Sequence, residues 1–198
     1  MDPEAFWALV EDSLGHSPGH AARERYLRER LAELTPDEIV DFQAYLHTLC
    51  TRADRWDLWA AAARILGGFC SDDGFEYFRL WLIGRGRTVY ELAVGAPDSL
   101  ADAPEIRRLV GRAQSTWHED EEYPNWESLA YVAEEAYAEA VGEQDAADFD
   151  EAVDDALLPE PMPDYLAEER WNARDEDAAM ARIPKLAGAF PLTSGHAA

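Results

Sequence analysis

The stretch GGFCSDDGFEYFRLWLIGRG, Gly67 to Gly86, constrains the fold more than any other part of the chain. Ser71 is a suitable N-cap, and Asp72 and Asp73 then fall in a first helical turn. Carboxylates there meet unpaired backbone N–H groups and the positive end of the helix dipole, so two adjacent acids need no catalytic role. Gly74 leaves room for a close neighbour, at a cost of about 1 kcal/mol relative to alanine in a helix interior. Beyond it Phe75, Phe78 and Leu82 share one face, and Tyr77, Leu80 and Trp81 occupy adjoining ones. A helix that is apolar nearly all round is a central, buried helix. Arg79 lies among those rings and needs a carboxylate partner or a route to solvent, because an isolated buried charge is expensive.

The rest of the sequence supplies helices to surround it. Asp2 and Pro3 read as a cap and first turn ahead of Phe6, Leu9, Val10 and Leu14 at helical spacing. After the break HSPGH, Pro18 restarts a second helix carrying Tyr26, Leu27, Leu31 and Leu34. LTPDE places Thr35 as cap, Pro36 in the first position and Glu38 three residues on, a capping box that starts a third helix with Ile39, Phe42, Tyr45, Leu46 and Leu49. RWDLWAAAARILGG gives a fourth, ended by Gly67 and Gly68. TVYELAVG is a short helix, and APDSLADAPEIRRLVGRA a turn leading to another. TWHEDEEYPNWESL is a charged loop before a helix starting near Asn125, whose Ala130, Ala133, Ala136, Tyr137 and Ala140 make a small-residue face. Residues 142–164 are acid-rich with Pro159, Pro161 and Pro163 and read as a connector. A last helix stops before Pro184, with Leu186 and Phe190 docking a tail. Period-2 alternation is scarce, so the expected fold is all-α, with seven to nine helices, Phe75, Phe78, Trp81 and Leu82 at its centre and an acidic C-terminal extension. The expected division is a helical core over residues 1–141, and an acidic connector and C-terminal helix over 142–198 packing back on it.

Charge excludes some functions. The net −24 divides as 4 basic and 10 acidic residues in 1–51 (−6), 9 and 9 in 52–112 (0), and 4 and 22 in 113–198 (−18). Phosphate backbones require clustered Lys and Arg, so a nucleic-acid partner is not expected. No segment joins a basic run to an apolar one, and Leu58–Phe69 and Phe75–Ile83 fall short of the roughly 20 apolar residues of a membrane span. A soluble, cytoplasmic protein with no membrane partner is expected. Cys50 and Cys70 fit a reducing compartment as small buried residues rather than a disulfide.

Chemistry-bearing motifs are few. His118, Glu119, Asp120, Glu121 and Glu122 offer metal-type ligands, but adjacent residues cannot all face one ion and no second histidine follows at helical spacing. His118 and Glu119 are weak metal candidates, and no cofactor is expected. Asp148, Asp150, Asp154 and Asp155 lack the glycine and terminal glutamate of a calcium loop. His16 and His20 are separated by SPG, and His47 beside Thr48 reads as a partly exposed helical histidine rather than a general base. There is no GxSxG, Walker loop or GxGxxG, and no cysteine with a placed histidine, so no catalytic residue is assigned. The cluster above background is Trp56, Asp57 and Trp59 with Asp72, Asp73, Arg79 and Trp81, because a tight glycine turn keeps their two helices close. Core packing with one buried Asp–Arg pair is the simpler reading, and a pocket lining the other.

FWALVE, RWDLWAAAARILGG, CSDDGFEYFRLWLIGRGRTVYE, PDSLAD, ESLAYVAEEAYAE and the closing IPKLAGAF together resemble the bacterial domain of unknown function family 4240, over about residues 4–190. The resemblance implies a shared fold and a bacterial, often actinobacterial, setting, and transfers no catalytic residue. Two functional classes follow from the residues. One is a non-enzymatic binding or regulatory module, immunity- or inhibitor-like, that docks a basic protein partner on acidic surface including Glu121, Glu122, Asp154 and Asp155. The other is a small helical enzyme or ligand-binding protein built on the Trp/Asp/Arg cluster.

Overall fold

The computed structural model describes residues 1–17, 19–119, 121–142, 148–157 and 169–192. The expectations placed on Pro18, Asp120, Pro159, Pro161 and Pro163 lie outside these residues. Among the described residues the fold is all-α, without strands, and has eleven α-helices. They are α1 (Pro3–His16), α2 (His20–Leu31), α3 (Pro36–Arg52), α4 (Trp56–Ile65), α5 (Asp72–Ile83), α6 (Arg87–Gly95), α7 (Pro104–Arg107), α8 (Val132–Val141), α9 (Phe149–Ala156), α10 (Glu176–Arg182) and α11 (Pro184–Ala189). Short 3-10 turns run over Pro97–Asp102, Gln114–Thr116 and Glu127–Tyr131. Eight of the eleven have eight residues or more, within the expected seven to nine, and the other three are short.

Local chemistry sets the helix ends. Asp2 accepts from the Ala5 N–H ahead of Pro3. Thr35 and Glu38 form the reciprocal capping box, and Ser71 accepts from the Gly74 N–H. Gly67 and Gly68 end α4 with φ of +79° and +98°, a backbone region that strongly favours glycine. α8 differs from expectation. The Trp126 N–H donates to the Tyr77 carbonyl on α5 at 3.1 Å, so the chain docks across α5 and passes through the 3-10 turn before helix geometry begins at Val132.

α5 lies at the centre, against α3, α4, α6 and the Glu127–Tyr131 turn. Phe75, Phe78, Trp81 and Leu82 are all buried. A row of rings crosses the core from Trp59 through Phe75 and Phe78 to Trp81, with centroids 4.9, 6.4 and 5.3 Å apart. α8 presents buried Ala133 and Ala136 and packs on α2 and α3. α9 packs on α3 through Phe149 and Val153, and α11 packs on α4 and the Pro97–Asp102 turn.

Three arginines are buried outright: Arg23, Arg64 and Arg85. Arg23 donates to Ser13 Oγ and to the Gly84 carbonyl at 2.7 Å, and its guanidinium lies 4.3 Å from the Trp126 ring centroid. Burial, reinforced by the charge of Arg85, lowers its pKa to about 9. Arg85 sits 5.4 Å from the Trp81 ring, and burial lowers its pKa to about 10. Cationic faces on rings offset part of the cost of taking these charges out of water.

Candidate functional site

The seven clustered residues fall in four places. Trp56 and Asp57, at the start of α4, join the C-terminal segment: Trp56 Nε1 donates to the Trp171 carbonyl at 3.0 Å, and Trp171 Nε1 donates to Asp57 at 2.7 Å. Trp59 and Trp81 belong to the ring row through the core, and Trp59 Nε1 donates to the Cys70 carbonyl. Asp72 and Asp73 are exposed in the first turn of α5. Arg79 stands apart from all six. Its carboxylate neighbour is Asp54, 3.5 Å away, and its Nη1 donates to the Cys50 carbonyl at 3.0 Å. The structure therefore has the Asp–Arg pair, but with the aspartate at the end of α3, three residues ahead of Asp57. Replacing Asp72 and Asp73 together by asparagine should cost about 1 kcal/mol in chemical denaturation, the scale of two exposed charges at a helix start. A much larger loss would mean that their carboxylates make contacts beyond the helix start.

Arg79 lines a cleft of about 430 Å³ between α3 and α5. Gln43, His47, Cys50 and Asp54 line one wall, Glu76 and Arg79 the other, and Ala130 lies at one side. Burial pushes the Cys50 thiol up to about 12; Glu76 and Asp54 push it the same way and Arg79 only partly opposes them. The thiol is therefore protonated at neutral pH and is a poor nucleophile. His47 is exposed at the rim.

The acidic loop is organised around Glu122. Its two oxygens take Arg112 at 2.6 and 2.8 Å, and it also accepts from the His118 backbone N–H at 2.8 Å. The Arg112 contact first, then that N–H, hold the Glu122 carboxyl down at about 2. This carboxylate closes the loop. His118, Glu119 and Glu121 are exposed, and among the described residues no group of three His, Cys, Asp or Glu is arranged to hold a metal.

Exposed carboxylates are dense on α8 and α9. Asp150, Glu151, Asp154 and Asp155 are exposed, opposite the buried Phe149 and Val153, and make no ion pair among the described residues. On α8, Glu134 is exposed and makes no ion pair among the described residues, while Glu135 and Glu139 share Arg28. Several surface cations are likewise engaged within the chain: Arg87 with Glu4 and Glu91, Arg112 with Glu122, and Lys185 with Asp102. Arg23, Arg64 and Arg85 are inside and Arg79 nearly so, so these four cations add little positive charge to the surface.

Sequence reasoning missed Trp126, Trp171 and the buried arginines. Little local signal marks them, since Arg23 meets the Gly84 carbonyl, Arg64 the Ala187 carbonyl, Trp126 Glu24 and Trp171 Asp57 across separations of 61 to 123 residues. Among the described residues no helix is long and apolar enough to cross a membrane. Residues 1–139 match the family model described as Protein of unknown function (DUF4240). This span takes in every motif of the resemblance except the closing IPKLAGAF. No curated protein and no solved structure matches the chain.

Proposed function

The chain belongs to the DUF4240 family, and from that premise we propose that it is a non-enzymatic binding module that docks a basic protein partner on its acidic surface, in the manner of an immunity protein or inhibitor. The observation carrying this reading is the sorting of charge among the described residues: Arg23, Arg64 and Arg85 lie inside, Arg87 and Arg112 are neutralised by the chain's own acids, and α9 turns outward four carboxylates that make no ion pair there. Such a surface raises the encounter rate with cationic partners and repels nucleic acid and anionic membranes. Two cysteines not joined to each other suit the reducing cytoplasm. Glu121 is exposed and enters this reading with the α9 carboxylates, whereas Glu122 is engaged by Arg112 and the His118 N–H.

The test starts from a partner retained on the immobilised chain at low salt and identified. Its association rate should fall at least about tenfold between 0.05 and 0.5 M salt, because the Debye length shrinks from about 14 to 4 Å. Reversing Glu121, Glu151, Asp154 and Asp155 to lysine should slow association similarly with an unchanged thermal midpoint, since exposed charges contribute little to stability. A tight partner indifferent to both would end this reading.

A further inference from the structure

Arg79 lines the cleft between α3 and α5, and part of its guanidinium makes no hydrogen bond among the described residues. Arg79 Nη1 is occupied by the Cys50 carbonyl and Asp54. Its Nε is buried without a hydrogen-bond partner, and its Nη2 makes no hydrogen bond among the described residues. Nε and Nη2 form the side edge of the guanidinium, the fork whose spacing matches the two oxygens of a carboxylate. The plane of that fork is already set, because the guanidinium lies 4.9 Å from the Phe75 ring centroid and Nη1 is tethered to α3. Elsewhere in the same cleft lining, Gln43 Nε2 donates to the Ala130 carbonyl at 3.2 Å, leaving Gln43 Oε1 buried and unpartnered. A buried donor and a buried acceptor left so are each unfavourable unless something meets them. Both belong to residues lining one cavity of about 430 Å³, a volume in the range of small-molecule sites.

The charges around the edge narrow the occupant. Asp54 and the exposed Glu76 bring two carboxylates to the cleft beside the single cation of Arg79. A bare anion on the Arg79 edge would meet net repulsion, and a bare cation would leave the edge empty. An occupant carrying both charges close together meets neither problem. We infer that the cleft binds a small zwitterion of the free amino-acid type, its carboxylate on the Nε and Nη2 edge of Arg79 and its ammonium toward Glu76 and the Gln43 carbonyl oxygen. The protonated Cys50 thiol leaves this a binding site rather than one of thiol chemistry.

The experiment is a thermal-shift and calorimetric screen of the intact chain against the twenty free L-amino acids. At least one should bind, and its carboxamide and N-acetyl derivatives, each lacking one charge, should bind at least about tenfold more weakly. Glu76→Gln, on an exposed residue, should weaken binding by about tenfold while leaving the unliganded thermal midpoint in place. Arg79→Lys should weaken it further, because an ammonium cannot supply the fork. Because Arg79 also ties α5 to α3, the Glu76 variant and the two derivatives carry the decision. Absence of binding across the panel overturns the proposal and leaves both orphaned atoms to ordered water. Binding that is indifferent to N-acetylation and to Glu76→Gln also overturns it.

Discussion

Replacing Trp126 by alanine should lower the unfolding free energy by about 3–5 kcal/mol, the range for truncating a large buried aromatic residue. Trp126 is only 1% exposed, yet it sits in an acidic loop segment. Its ring stacks on His20 with centroids 4.8 Å apart and carries the Arg23 guanidinium on a face. Its Nε1 donates to Glu24 at 2.6 Å, an oxygen that Ser128 shares. The variant thus opens a cavity and removes the ring face from a buried cation at one stroke. Trp126→Phe keeps most of the ring and should cost less. Gly84 gives a sharper check. A Cβ built there would lie 2.5 and 2.6 Å from Trp126 Cζ3 and Cε3, so the absence of a side chain at the end of α5 is what admits the ring. Gly84→Ala alone should cost about 1–3 kcal/mol through overpacking. In the Trp126→Ala background it should cost little, because the atoms it strikes are gone. Denaturant unfolding of the four proteins in this cycle measures the coupling directly. Equal costs of Gly84→Ala in both backgrounds would show that the ring does not exclude the Cβ.

The helices were legible because their signals are local. The Thr35–Glu38 box, the Ser71 cap, Pro3 and the Gly67–Gly68 stop each act within four residues, and each appears where the residues put it. The centrality of α5 was legible for a similar reason, since a helix apolar on every face has only one place to go. The misreadings share the opposite character. Trp126 lies in an acidic loop that reads as solvated, and its burial depends on Arg23 and Glu24 about a hundred residues earlier. Arg23 and Arg64 were not singled out, because the Gly84 and Ala187 carbonyls they meet lie 61 and 123 residues away. Arg79 was singled out by its ringed surroundings, but Asp54 was not, because it sits in the turn after α3 and reaches Arg79 only once α3 and α5 are side by side. Hence the Trp/Asp/Arg cluster separates: Trp59 and Trp81 went to the row of rings, Trp56 and Asp57 to the C-terminal segment, Asp72 and Asp73 to solvent, and Arg79 to a cleft whose other wall is α3.

Replacing Arg64 by alanine should cost roughly 3 kcal/mol, the scale of hydrogen bonds to a charged group together with the acceptors stranded by its loss. Arg64 is fully buried on α4 and reaches three parts of the C-terminal segment. It donates to the Ala173 carbonyl at 3.4 Å, to the Ala187 carbonyl at 3.2 Å and to Glu176 at 2.6 Å. Glu176 in turn accepts from the Leu192 N–H. One side chain therefore ties α10, α11 and the residues after them to α4, and the loss should be felt there first. Hydrogen exchange should show the amides of residues 176–189 losing protection before those of α3 and α5. Acid adds an independent sign. The Arg64 hydrogen bond holds the Glu176 carboxyl below its ordinary range. A depressed carboxylate contributes stability above its unfolded value of about 4.3, and that contribution is lost as pH falls through the lower folded value. The wild-type segment should accordingly loosen in acid, and the Arg64→Ala segment, already loose, should show much less of that dependence. If residues 176–189 keep full protection in Arg64→Ala at neutral pH, then the apolar contacts of Ile183, Leu186 and Ala187 hold the segment without the arginine.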